Sequence, residues 1–296
     1  MYLQIIPWNR DCGCDAMSVY NANGDEINAL YGVDNTELDK AYDALGNVVF
    51  DGSGERRILF FDDFNSFDSS MWMCEIGNVR NSSSELQCYR AENVSVENSC
   101  LVLTAKRESY GGKNWTSGSI SGQTLQFFKY GRFEARIKFP NVAGAFAAFW
   151  MMGSNFWKGY VDGDRSTNHG TFWPACGEID IDETIPGNAT TAQGNLWTYT
   201  GGSMGTGRSG SIISSDWNIY ACEWTSEYVA VFVNGTEYKR WTFSDYSPSA
   251  VQAYQLPFYM ILNLAVGASG GTPASSTSEM KMYVDWVRVY APLNGS

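Results

Sequence analysis

Histidine is almost missing: the 296 residues contain one, His169. A catalytic zinc site is left without its commonest ligand, and no Cys-x-x-Cys pair stands in for it. The same scarcity removes a serine-hydrolase reading of Gly267-Ala-Ser-Gly-Gly271, because those enzymes place their His after the Ser and His169 precedes it. His169 reads as a loop residue. Positive charge is short as well, with 20 basic residues against 32 acidic and a formal charge of −12. Such a balance repels nucleic acid and anionic membrane surfaces, and it suits solubility or a neutral or cationic substrate. No run of about 18 apolar residues is long enough to span a bilayer. Met1-Tyr-Leu-Gln-Ile-Ile-Pro-Trp8 lacks the basic start and apolar stretch of a signal peptide. Cys12, Cys14, Cys74, Cys88, Cys100, Cys176 and Cys222 are odd in number and scattered, which fits neither a zinc ribbon nor a dense disulfide scaffold. One pair is free to bridge, with the others as buried thiols. Helical signals are sparse too: few windows hold a 3.6-residue period or a cap.

What the chain has in excess is rings. Aromatics make up 15% of it, with 11 Trp and 17 Tyr, enough for a core and some left over for a binding surface. The length accommodates one large all-β domain with a small appendage. Residues 1–55 differ in texture: Tyr20-Asn-Ala-Asn-Gly24 and Tyr42-Asp-Ala-Leu-Gly46 each set a turn signal after a Tyr, as in small hairpins. Residues 56–296 carry short β segments. Among them are Leu101-Val-Leu-Thr-Ala105, Gly131-Arg-Phe-Glu-Ala-Arg-Ile-Lys-Phe139, Tyr228-Val-Ala-Val-Phe-Val233, Phe258-Tyr-Met-Ile-Leu-Asn-Leu264 and Met282-Tyr-Val-Asp-Trp-Val-Arg-Val-Tyr290. Val233-Asn-Gly-Thr236 supplies the Asn-Gly of a tight hairpin. The expected fold is all-β, a sandwich of two packed antiparallel sheets.

Chemistry concentrates in Glu178-Ile-Asp-Ile-Asp-Glu183. Alternation puts Glu178, Asp180 and Asp182 on one strand face and Ile179 and Ile181 on the other. Glu183 would then fall on the apolar side, where an unpaired carboxylate is costly. A β-bulge near Ile181 and Asp182 returns it to the face of Glu178 and Asp180. Two carboxyls about 5–5.5 Å apart are what a retaining glycosidase needs, and crowded acids push one pKa up while another stays ionised. An acidic solvated strand or an oxygen-rich calcium site are the alternatives for such a hexapeptide taken alone. The flanking Trp173-Pro-Ala-Cys-Gly177, with Phe146, Trp150 and Trp197, supplies the rings of a sugar-stacking cleft.

Trp173-Pro-Ala-Cys-Gly-Glu-Ile-Asp-Ile-Asp-Glu183 resembles glycoside hydrolase family 16, the laminarinases and lichenases. Tyr130–Lys138, Ala148–Met152, Phe258–Val266 and Met282–Tyr290 follow in the same order, so the likeness covers roughly residues 58 to 292. The resemblance implies a β-jelly-roll with an open concave cleft, in which Glu178 attacks the anomeric carbon, Glu183 is acid then base, Asp180 tunes the nucleophile and Trp173 stacks on the sugar. The two Glu stand five positions apart, as in laminarinase-like members; lichenases have one residue fewer. Gln193-Gly-Asn-Leu-Trp197 is similar to the lichenase pattern that points Gln193 and Asn195 into the cleft, where laminarinases carry histidines. Cys88-Tyr-Arg-Ala-Glu-Asn93 is similar to cleft-lining lichenase segments and nominates Arg90, and Asn263 is a further candidate for sugar hydrogen bonds.

The expected activity is therefore an endo-β-1,3(4)-glucanase acting on β-1,3- or mixed-linkage β-glucan polysaccharide, as a monomer, with no nucleic acid or membrane partner and at an extracellular or cell-surface site set by the polymer. A galactan hydrolase of the agarase or carrageenase kind, a transglycosylase and a non-catalytic glycan-binding sandwich are the rivals. No cofactor is needed for the chemistry. The family likeness implies a structural calcium ion with Asp285 among its ligands, though Asp285 also fits an ordinary acceptor role. The Gly-, Asp- and Asn-rich stretch 153–171 reads as a loop insertion beside the cleft.

Overall fold

The computed structural model describes residues 58–79, 84–156, 172–184, 190–198 and 202–292, with the backbone of two short strands before them. Numbered along the chain, those two are β1 (Lys40–Tyr42) and β2 (Val48–Asp51), an antiparallel pair forming a sheet of their own. The turn signal Tyr20–Gly24 and residues 157–171 of the 153–171 stretch lie outside the described residues. Two larger sheets form the rest. The first runs β18 (Thr236–Thr242), β17 (Tyr228–Val233), β16 (Asn218–Trp224), β10 (Gly131–Lys138), β20 (Glu279–Tyr290), β7 (Cys100–Lys106), β8 (Trp115–Ser117) and β5 (Gln87–Tyr89), with β3 (Ile58–Asp62) on β20 and β6 (Val94–Glu97) on β7. The second runs β14 (Gly202–Ser203), β13 (Gln193–Thr198), β12 (Glu178–Thr184), β11 (Ala145–Gly153), β19 (Phe258–Val266), β9 (Ser119–Ser121) and β4 (Met73–Cys74), with β15 (Gly207–Arg208) on β13. Pairing is antiparallel except between β5 and β8.

The sandwich read from the sequence is the architecture observed, and side-chain periodicity explains it. Along β10 buried and half-buried residues alternate without a break, so Phe133, Ala135 and Ile137 enter the core while Arg132, Glu134 and Arg136 face outward. Opposite them Phe149, Met151, Ile179, Ile181, Leu196, Met260, Leu262 and Leu264 fill the space from the second sheet. Each such side chain contributes about 1.5–3 kcal/mol by leaving water. The second sheet differs from the first in being buried on both sides. Ala148, Trp150, Met152, Tyr259 and Ile261 gather with Cys176 into a second apolar cluster on its outer face. That is why β19 is apolar almost throughout instead of alternating.

Asn234 and Gly235 take φ of 49° and 79° at the β17–β18 turn, the left-handed pair that Asn-Gly supplies for a two-residue hairpin. The five described cysteines, Cys74, Cys88, Cys100, Cys176 and Cys222, are all free thiols, so the bridge allowed by the sequence does not form among them. Cys12 and Cys14 lie outside the described residues.

Candidate active site

The register between β11 and β12 shifts once. Met152, Met151 and Trp150 face Glu178, Ile179 and Asp180, but Phe149 faces Asp182, leaving Ile181 as the extra residue. This is the β-bulge anticipated from the cost of placing Glu183 in the core, and it reverses the alternation downstream. Glu178, Asp180 and Glu183 line one cavity, whereas Ile179, Ile181, Asp182 and Thr184 are buried on the other side of the sheet or beneath it. Asp182, 1% exposed, does not reach the cavity; it accepts from the Gln193 backbone N–H at 2.8 Å and from the Thr184 hydroxyl at 3.2 Å. The β12–β13 ladder stops at the Asp180–Asn195 pair, so Asp182 satisfies a donor that the ladder has released.

The three cavity acids differ in their surroundings. Trp173 Nε1 donates to Glu178 Oε2 at 2.8 Å. Asp180 is 2% exposed and accepts from Trp197 Nε1 at 3.0 Å; burial first, then the charges of Glu183 and Glu178, raise its carboxyl well above the usual range. Burial also pushes Glu183 up to about 7, against a hydrogen bond from the Gln193 side chain that favours its anion. Asp182 is raised by burial as well, opposed by the hydrogen bonds it accepts. A carboxyl holding its proton near pH 7 and a neighbouring carboxyl five residues away on the same strand face can present a proton and an anion to one ligand.

The cavity, about 640 Å³, is walled by rings. Phe146 and Trp150 come from β11, Trp197 from β13, and Trp173 from the segment leading into β12. Trp173 is 43% exposed and packs on Trp197 with ring centres 5.6 Å apart. Gln193, Asn195 and Asn263 line the same cavity. Their amides are already engaged: Gln193 Oε1 accepts from Arg208 Nε at 3.0 Å, Asn195 Oδ1 accepts from the Ser203 hydroxyl at 2.8 Å, and Asn263 bridges Trp150 Nε1 at 2.7 Å and the Tyr89 hydroxyl at 3.0 Å. Asn263 thus braces the ring of Trp150 from behind.

Two candidates fall elsewhere. Arg90 does not line the cavity; its guanidinium stacks over Tyr110 at 4.1 Å and pairs with Glu92 and Glu108. The residue before it, Tyr89, is the one that reaches the site, through Asn263. Asp285 pairs with the Arg136 guanidinium, an ordinary acceptor role, and among the described residues no three His, Cys, Asp or Glu gather to hold a metal. The cavity also takes in Glu85, Met152, Phe156, Phe172, Thr206 and Ser269, which the sequence did not single out.

A model of the family described as glycosyl hydrolases family 16 matches residues 82–288. The clotting factor G alpha subunit of Tachypleus tridentatus is 35% identical over 240 residues, covering 79% of this chain and 34% of that protein, so the chain spans about a third of this relative. The beta-glucanase of Rhodothermus marinus is 30% identical over 264 residues, covering 83% of this chain and 89% of that one. Among solved structures, the laminarinase catalytic domain from Thermotoga maritima MSB8 superposes with a TM-score of 0.69 at 29% identity, over 81% of this chain and 100% of that domain. With the family match spanning the bulged strand and both large sheets, the chain belongs to glycosyl hydrolase family 16.

Proposed function

We propose that the protein is an endo-acting, retaining hydrolase of β-1,3- or mixed-linkage β-1,3-1,4-glucan, with Glu178 as nucleophile and Glu183 as acid and then base. The observation that carries this is the bulge in β12, which puts Glu178, Asp180 and Glu183 on one face under a wall of rings. In the first step Glu178 attacks the anomeric carbon while the Glu183 carboxyl gives its proton to the departing glycosidic oxygen, leaving a glycosyl ester on Glu178. In the second, Glu183, now a carboxylate, takes a proton from water; the oxygen bonds to the anomeric carbon and the ester breaks. Asp180, beside Glu178 and held by Trp197, tunes the charge of the nucleophile. Trp173 and Trp197 offer faces for stacking a sugar.

The relatives named beta-glucanase and laminarinase support a glucan as substrate. The cavity's charge supports it too. Its described lining has four acidic side chains, Glu85, Glu178, Asp180 and Glu183, and no Lys or Arg to offset a sulfate, which disfavours a sulfated galactan. A polymer too large to enter a cell supports an extracellular or cell-surface setting.

The test is product release from barley mixed-linkage glucan, laminarin, agarose and κ-carrageenan by wild type and Glu178→Gln. Short oligosaccharides from one or both glucans, lost in the variant, are expected, with the β-anomer first by proton NMR. Cleavage only of a galactan would move the substrate; an α-anomer first would sink the two-step mechanism; no cleavage of any polymer would leave a glycan-binding role.

A further inference from the structure

Gln193 sits between a cation and the acid/base candidate. Gln193 and Glu183 line the same cavity, where the Gln193 side chain favours the Glu183 anion, and Gln193 Oε1 accepts from Arg208 Nε at 3.0 Å, Arg208 being its direct partner across the short β13–β15 ladder. An amide has one acceptor end and one donor end. With the acceptor end taken by a guanidinium that can only donate, the NH₂ is the end left for Glu183. The backbone of the same residue is fixed from beneath, where its N–H is held by Asp182. Both the position and the sense of the Gln193 amide are therefore set by neighbours that do not line the cavity.

We propose that Arg208 is a positioning residue for catalysis: by accepting no hydrogen bond itself and occupying Gln193 Oε1, it holds the Gln193 amide with its N–H toward Glu183 and so favours the Glu183 carboxylate. The reading rests on the acid/base role given to Glu183 above. Burial pushes a proton onto Glu183, which suits the first step; the second step needs that proton to leave. A fixed donor aimed at the carboxylate keeps Glu183 serviceable in both directions. The charged groups around Glu183 are Glu178, Asp180 and Asp182 on its own strand, Glu85 across the cavity, and Arg208, which reaches it through Gln193; β11 and β19 bring Ala148 and Asn263.

Removing the donor favours the protonated acid, so the alkaline limb must move up, not down. Arg208 is exposed, so Arg208→Met empties no core position. The expected result is an alkaline limb of kcat/KM raised by about half a unit to one unit in Arg208→Met and in Gln193→Leu, with Arg208→Lys restoring part of the wild-type profile. In the double variant the shift should equal that of Gln193→Leu alone. Additive shifts would mean that Arg208 acts by its charge directly and would overturn the proposal, as would an unmoved limb. Carboxyl carbon-13 NMR titration of Glu183, identified by loss of its signal in Glu183→Gln, reads the same shift without substrate. A shift seen there with no polymer cleaved would keep the relay and reject the hydrolase; cleavage with no shift in the variants would do the reverse.

Discussion

At the residue scale the site turns on which acid reaches the cavity. Asp182 and Glu183 are adjacent in sequence and lie on opposite sides of the sheet. Glu183→Gln should lower turnover of an unactivated polymer by about 10²–10⁴-fold, the usual worth of a positioned proton donor. Asp182→Asn keeps the acceptor for Gln193 N–H and should retain most activity. Near-normal turnover by Glu183→Gln in a steady-state assay would remove it from the mechanism. Stability should carry the same signature. Glu183 has a folded-state pKa raised from 4.5 to about 7, so the folded protein binds this proton more tightly than the unfolded chain. Its contribution is most favourable below about 4.5, declines as pH rises to about 7, and is flat beyond. Asp180 and Asp182 are raised and act in the same sense. Melting temperatures at pH 5 and pH 8 should therefore differ more for wild type than for Glu183→Gln; an equal difference would mean that Glu183 titrates normally.

At the scale of elements, what could be read in advance depended on whether a strand had two unlike faces. β10 announces itself by alternation, and the bulge in β12 followed from one misplaced charge. Arg90 lies off the cavity lining and its direction was not legible, because it follows a strand, β5, that is three residues long and buried throughout, so Gln87-Cys-Tyr89 has no alternation to point the next side chain. Glu85 sits on an isolated bridge, Thr206 in coil and Ser269 in a three-residue 3-10 turn, all too short for a period to point a side chain. Arg208 belongs to a two-residue strand and was equally silent; only its register with Gln193 gives it meaning. Turns were easier, since backbone demands select the residue. Gly235, at φ 79°, has open space where a Cβ would go, so Gly235→Ala should cost backbone strain alone, about 1–2 kcal/mol. Calorimetry should find the melting temperature lowered by a few degrees with kcat unchanged. A loss of activity with the fold intact would show that this turn communicates with the cleft.

At the scale of the whole molecule, charge and cavity agree. The chain carries −12 overall and its cleft brings four acidic side chains and no described Lys or Arg. A neutral glucan meets no long-range field, so kcat/KM on it should change little between about 10 and 200 mM salt, while a sulfated polymer should be excluded most strongly at low salt. A steep salt dependence on neutral glucan would point to charged residues at the cleft beyond those described. The sandwich itself was legible because two-sheet packing imposes its period on every long strand, and the double burial of the second sheet was visible in the apolar run of β19. The ring wall was legible only as a surplus of Trp and Tyr; which rings wall the cleft depends on pairing across distant strands.

The bulge at Ile181 has a further meaning as counting. From Glu178 to Glu183 the chain takes an odd number of steps, and one residue that goes unpaired makes the odd count behave as an even one. A strand with that residue deleted would take four regular steps and arrive on the same face. The two acids are thus tied to a parity and not to a distance along the chain, so this stretch can gain or lose a residue together with its kink and keep its chemistry, whereas a change in one without the other would turn the second acid inward.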